Sequence, residues 1–325
     1  MRSGRRHILV IRFSALGDVA ILAPVLKQKM SENPEVDVTL AGPKMLAPLF
    51  ADIQNLSYIG IDKRIGILKI FPLLMECRPT VVADLHSVIR SFVLDFLFIL
   101  HLIPVHVMSK RRMMRKRLLK NKNIQLEASW QRYDYVLRQA GLKGKAEMPP
   151  YIVHSKSSDG VRRVGVAPFS TARGKDYPVG KMEMVLEKLS GQPSMEIYLF
   201  GGKDHYQYFT EWAGKYSNVI IPSSGSFEDE LELIKRLDVM VSMDSANLHF
   251  ASALGVPVVT VWGATHPFCG FAGWRQNPQW SVQLDLPCRP CSIYGSRPCE
   301  RGTYECMESI PPEMIVEKVM MVLNS

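Results

Sequence analysis

Apolar runs rich in Val and Ile alternate with helical patterns along the whole chain. HILVIRF precedes a helical pattern over residues 19–30, VDVTLAG precedes PKMLAPLFAD, and VVADL precedes a helical stretch over residues 87–100 that IPVHVM follows. Uninterrupted apolar strands are what a sheet covered on both faces requires, because neither face can carry solvated side chains. EASWQRYDYVLRQAGL predicts a helix closed by Gly141, and KGKAEMPPYIVHSKSSDG after it has the composition of a linker. The alternation then restarts, with RRVGVAPF, EIYLFGG, NVIIPSS, VMVSM and VPVVTVWG as strands. GKMEMVLEKLS, DHYQYFTEWAGKY, FEDELELIKRL and ANLHFASALG are the helices between them, and PPEMIVEKVMMVLN predicts a terminal helix opening on proline.

Strands and helices in strict alternation with short connections predict an α/β fold of parallel, doubly wound sheets. At 325 residues, 47% apolar and 22% charged, the chain can bury two such cores. The expected division is a Rossmann-like domain over 1–152, a linker over 153–160, a second Rossmann-like domain over 161–310 and a terminal helix over 311–325, with a cleft between the domains. The most apolar stretch, residues 91–108, contains Asp95, His101, Pro104 and His106, which makes a bilayer span costly. It reads as a buried helix followed by a strand. The basic N-terminus runs into an apolar segment broken by Arg12 and Asp18 with no small-residue cleavage site, so a cytoplasmic protein is expected.

Charge sharpens this picture. Residues 1–155 carry 24 Lys/Arg against 12 Asp/Glu, a net +12, and residues 156–325 carry 16 against 19, a net −3. Such asymmetry suits a first half that faces something anionic, which could be nucleic acid, phospholipid or a phosphorylated glycan, or a basic solvated surface with no partner. Residues 110–122 hold eight basic side chains and no acid, interleaved with Met113, Met114, Leu118 and Leu119. That pattern suits either an anionic membrane surface or a solvated basic loop.

In doubly wound sheets ligands sit beyond the carboxyl ends of the strands, where helix N-termini attract anions. Three junctions carry unusual residues. At the first, FSALGD, Gly17 permits close backbone approach and Asp18 falls at the expected N-cap. At the second, APFSTARGKDYPVG, the hydroxyls of Ser170 and Thr171, the backbone at Gly174 and the ammonium of Lys175 could hold a pyrophosphate, with Pro178 in the first turn of the next helix. At the third, VSMDSANLHF, Asp244 and Ser245 are expected to cap a helix carrying His249 one turn in, and an ionised Asp can accept both hydroxyls of a ribose. Neither G-x-G-x-x-G nor a Walker sequence occurs at these junctions, which argues against a nicotinamide-dependent oxidoreductase.

Taken together, ILVIRFSALGDVAILAPVL, VVADLHSVIRS, GVAPFSTARGKDYP, LFGGKDH and VSMDSANLHFASALGVPVVTVWGATHP resemble glycosyltransferase family 9, the ADP-heptose:lipopolysaccharide heptosyltransferases. The resemblance implies a GT-B architecture of two Rossmann-like domains facing a central cleft, an inverting mechanism, an ADP-sugar donor and an anionic glycolipid acceptor at the inner face of the cytoplasmic membrane. Asp18 matches the family's general base. Ser170, Thr171 and Lys175 match its donor-phosphate contacts, and Asp244, Ser245 and His249 its ribose and phosphate motif, in which Ala246 replaces the commoner Gly. Gly17, Arg90 and the run Lys110, Arg111, Arg112 fall on the acceptor side. Inversion needs one displacement: a base takes the acceptor proton on one face while ADP leaves from the other, with oxocarbenium character on the sugar. No acidic pair with metal-ligand spacing appears, so no cofactor is expected for catalysis.

Four of six cysteines cluster near the C-terminus: Cys288, Cys291, Cys299 and Cys306. The C-x-x-C with two further thiols offers a structural zinc site, although the later spacings do not form a second C-x-x-C; free thiols are the other reading. A nucleic-acid-binding protein would account for the basic first half. It leaves Asp18 and the donor-like motifs of the second half without a role, so no nucleic-acid partner is expected.

Overall fold

The computed structural model describes residues 5–62, 64–152, 159–223 and 225–325. Positions 153–158, most of the expected linker, lie outside them. In the first unit β1 (His7–Ile11) leads into α1 (Leu16–Ala20) and α2 (Leu22–Glu32), then β2 (Asp37–Pro43), β3 (Leu56–Ile61), α3 (Ile67–Met75), β4 (Val81–Asp84), α4 (Ile89–Leu100) and β5 (Val105–Val107). Next come α5 (Arg112–Lys120) and α6 (Ser129–Gln139). All five strands are parallel, in the order β3-β2-β1-β4-β5, so the sheet reverses direction of winding between β1 and β4, where Ile11 registers with Asp84.

Burial follows strand alternation. Leu9 and Ile11 of β1 pack with Val82, Ile70, Leu74, Leu94 and Phe98, which places α3 and α4 over that face. Ile8 and Val10 point the other way and are equally buried. Helices α2 and α6 are tied together by fully buried Lys29, whose ammonium lies 3.1 Å from Asp134 Oδ1 and donates to the carbonyls of Lys143 and Gly144 at 2.8 Å. Pro48 lies inside PKMLAPLFAD, and Lys44–Phe50 forms a 3-10 helix where an α-helix was expected.

The second unit begins with β6 (Arg162–Ala167), α7 (Val179–Ser190), β7 (Met195–Leu199), α8 (Tyr206–Lys215), β8 (Val219–Ile220) and α9 (Phe227–Lys235). It continues with β9 (Val239–Met243), α10 (Ala246–Ala253), β10 (Val258–Val261), β11 (Ser281–Val282), α11 (Glu305–Glu308) and α12 (Pro312–Leu323). Its six parallel strands run β11-β10-β9-β6-β7-β8, the doubly wound order with a switch between β6 and β9. The terminal helix opens on Pro312, as the sequence predicts, and buries Ile315, Val319 and Val322 in this unit's core.

Contacts divide the chain differently from the expected boundary at 152. Residues 1–111 and 127–148 form the first unit, and residues 112–126 group with 149–325 in the second. Helix α5 owes this to buried Leu118, to Arg115 stacked 5.3 Å from the Tyr294 ring centre, and to Lys122 donating to the Pro290 carbonyl at 2.7 Å. Of its four apolar side chains, only Met113 and Met114 are exposed. The reading of residues 91–108 as a buried helix is half right: α4 buries one face and exposes the other. Among the described residues no helix is long and apolar enough to cross a membrane.

Candidate functional site

Asp18 stands in the first turn of α1, just beyond the carboxyl end of β1. It is not the N-cap: Ala15 holds that position, with no side-chain cap bond. The carboxylate turns instead toward the sheet. Its Oδ2 accepts from Arg12 Nη2 at 2.5 Å, and the Tyr133 hydroxyl of α6 lies 3.4 Å from Oδ1 and 3.2 Å from the Asp18 carbonyl. Arg12 also donates to the Leu85 carbonyl, so one buried guanidinium joins the ends of β1 and β4 across the switch point. Gly17 lies in the same turn, partly exposed, and its carbonyl accepts from Ile21.

The β4 side of this edge is rigid. Asp84 accepts from the backbone N–H groups of His86 and Ser87 and from Ser91 Oγ, which fixes the turn into α4. His86 stands edge-on to Phe13 at 5.5 Å, and burial, then the Arg12 charge, push it down to about 4, so its imidazole is neutral at physiological pH. Beneath, burial and the Asp84 carboxylate push Asp95 up to about 8. Arg90 lies over the Phe13 ring at 5.5 Å and donates to the Ile65 carbonyl. Lys110 and Arg111 follow β5 at the same carboxyl edge, with Arg111 3.4 Å from Glu127; Arg112, expected alongside them, opens α5 in the second unit.

In the second unit the loop after β6 is knotted by its own side chains. Ser170 donates to Asp176 Oδ1 at 2.8 Å and to the Ala172 carbonyl at 3.0 Å, while its N–H also reaches Asp176. Thr171 is exposed, and Pro178 is the N-cap of α7 and not a member of its first turn. A 3-10 turn over Arg173–Lys175 sends Lys175 toward β9, where its ammonium lies 3.5 Å from Asp244 Oδ2. This ion pair bridges the β6/β9 switch point. Asp244 sits one residue before the N-cap of α10, Ser245, whose hydroxyl lies 3.2 Å from Ser242 Oγ and makes no cap bond. The expected Asp244/Ser245 side-chain cap is therefore absent, and both groups remain at the helix mouth. Ala246 is the first helical residue and His249 is buried within α10.

Sequence reasoning missed the supports. Gly295, at φ +75°, passes so close to Lys175 that an added Cβ would lie 2.4 Å from its Cγ; one at Gly174 would lie 2.8 Å from Ala264 Cβ and 2.9 Å from the Gly295 carbonyl oxygen. Arg289, buried, donates to the carbonyls of Trp262, Gly263, Thr265 and Leu284 and to Gln283, holding the loop after β10 against this one. The glycines were visible as letters only; nothing local marks which of 22 meets a lysine 120 positions earlier.

Among the described residues no group of three or more His, Cys, Asp or Glu side chains is arranged to hold a metal ion, and all six cysteines are free thiols. Burial and then the neighbouring Cys288 and Cys299 push Cys291 up, burial pushes Cys306 up to about 11, and Cys291 Sγ is turned toward the Ala264 carbonyl at 3.8 Å. Cys299 alone is lowered, by the backbone N–H groups of residues 301–304.

The sequence model of glycosyltransferase family 9 (heptosyltransferase) matches residues 113–298, more than half of the chain. The chain belongs to that family. As a family 9 member it is a glycosyltransferase, and the matched stretch contains every donor-side residue named above while Asp18 and Arg90 precede it. A family 9 glycosyl transferase from Veillonella parvula superposes with a TM-score of 0.76 at 16% identity, covering 100% of this chain and 99% of that one. The ADP-heptose lps heptosyltransferase II of E. coli gives 0.69 at 18% identity, covering 98% of each chain. E. coli heptosyltransferase WaaC with ADP gives 0.66 at 17%, covering 83% of this chain and 92% of that one. The shared fold is GT-B, two Rossmann-like units. No curated protein sequence matches.

Proposed function

We propose that this family 9 glycosyltransferase moves heptose or a related sugar from an ADP-sugar to a lipopolysaccharide-core acceptor, with inversion at the anomeric carbon. The observation that carries the reading is Asp18, a carboxylate at the carboxyl edge of the first sheet engaged by Arg12 on one oxygen and approached by Tyr133 at the other. A carboxylate held from two sides keeps its aim while it accepts a proton. As the acceptor oxygen bonds the anomeric carbon, its proton passes to Asp18. The bond from that carbon to the β-phosphate oxygen breaks, and ADP leaves with the electron pair.

The departing diphosphate needs positive charge and donors, which Lys175, Thr171 and the loop backbone supply; Ser170, committed to Asp176 and Ala172, shapes the loop. Asp244 takes the ribose hydroxyls beside Lys175, with Ser245, Ala246 and His249 forming the helix mouth that meets phosphate. Lys175 provides the charge that a divalent cation would otherwise bring, so the reaction needs no cofactor. An adenine nucleotide is favoured because a neighbouring fold, E. coli heptosyltransferase WaaC, was solved with ADP. Arg90, Lys110, Arg111 and Arg112 serve the anionic acceptor, and the enzyme works at the cytoplasmic face of the inner membrane.

Asp18→Asn tests the base. The variant keeps an oxygen acceptor for Arg12 but loses its counter-charge, so some loss of melting temperature is expected, while below that temperature donor affinity stays and kcat for transfer falls about a thousandfold. Transfer at the wild-type rate would reject the assignment.

A further inference from the structure

A surface helix in water turns charged side chains outward, and beyond Arg90 in its first turn α4 turns none. Its outward positions at helical spacing are Ile89, Phe92, Val93, Phe96, Ile99 and Leu100, all exposed, with Ile89 83%, Phe96 60% and Leu100 61% accessible. Ser91, Leu94, Asp95 and Phe98 form the buried side. Leu102, just past the helix, and Leu68 on neighbouring α3 extend the patch at 92% and 88% exposure. Single exposed apolar residues are ordinary; a whole helix face of them marks a docking surface.

The margin of this face is cationic. Arg90 is on α4 itself, and Lys110 and Arg111 follow β5 at the edge where α4 begins, because β4 and β5 run parallel. Exposed Arg64 and Lys69 lie just before and on α3. The acidic groups nearby are Asp62, which accepts the Arg64 backbone N–H, and Glu76 at the far end of α3; Asp95 is buried beneath the helix. A two-fold contact between copies would set these like-charged margins against each other. An anionic bilayer meets both features, with Phe and Ile side chains entering the acyl boundary and Lys and Arg meeting lipid phosphates.

We infer that α4 lies in the plane of an anionic glycerophospholipid bilayer, its Ile89 to Leu100 face inserted. The purpose, though not the docking, rests on the lipid-anchored acceptor proposed above: the anchored face starts at the sheet edge that carries Asp18. The basic helix α5 is not the anchor, because Leu118 and Arg115 are spent on the second unit.

Co-sedimentation of the full chain with vesicles of phosphatidylethanolamine and phosphatidylglycerol tests this, with phosphatidylcholine vesicles as comparison. Wild-type protein is expected to bind the anionic vesicles about tenfold or more tightly, and less so as salt rises. The double variant Phe96→Gln/Ile99→Gln, altered only at exposed positions, should keep its melting temperature and lose about tenfold or more in binding. Met113→Gln on α5 should bind as wild type does. No wild-type binding, or equal binding by the double variant, overturns the inference, as does a wild-type dimer that the double variant dissociates. The vesicles contain neither donor nor acceptor, so a negative result leaves the transferase reading standing, and failure of the Asp18 test leaves the docking standing.

Discussion

Arg12 is the residue on which the first site turns. Buried, it donates to the carboxylate of Asp18 and the carbonyl of Leu85, and its charge helps keep His86 neutral. His86 and Asp95 then give the fold opposing pH dependences. His86 is lowered from 6.5 to about 4, so between those values the unfolded chain binds the extra proton and stability rises with pH. Asp95 is raised from 3.8 to about 8, so the folded chain holds the extra proton and stability falls as pH rises. The two oppose each other up to about pH 6.5; above that the Asp95 contribution remains without the His86 one, and stability is expected to decline as pH rises toward 8. Urea unfolding of Asp95→Asn across that range should show the decline removed. An unchanged slope would mean that another group carries it.

At the scale of elements, the site depends on helices and loops fixed from a distance. Tyr133 reaches Asp18 because α6 is locked to α2 through Lys29 and Asp134. Lys29→Ala leaves Asp134 buried with Arg138 as its remaining cation and should cost about 3 kcal/mol by chemical denaturation. Gly295→Ala places a methyl group against the stem of Lys175 at a positive φ, so donor affinity should fall about tenfold or more while the core is untouched; unchanged affinity would show that the lysine finds another path. Elements legible in the sequence were those with both faces buried, such as β1, β4 and β9. β3 is not legible because it is an edge strand with only one of its six residues fully buried, and α3 because Pro72 interrupts its pattern. The apolar side chains of α4 were read correctly as a helix and incorrectly as buried, since hydrophobicity states what a residue avoids and not what covers it.

The whole molecule builds one topology twice, and that regularity made the sites readable: each switch point lies where a chemically unusual junction follows a strand. Asp18, Lys175 and Asp244 were visible for this reason. Their partners were not, because Tyr133 and Gly295 come from far along the chain and only folding brings them near. The four cysteines, read from their spacing, come within electrostatic reach of one another in the second unit, although among the described residues no group of three is arranged to hold a metal ion. The central claim is that the second unit binds an ADP-sugar through Lys175 and Asp244. Calorimetric titration with ADP-heptose, ADP, UDP-glucose and GDP-mannose, repeated with Asp244→Ala, tests it most directly. The account predicts binding of the two adenine ligands, weakened about tenfold or more in the variant, and none of the others. Binding confined to UDP-glucose or GDP-mannose, or adenine binding that Asp244→Ala leaves intact, would contradict it.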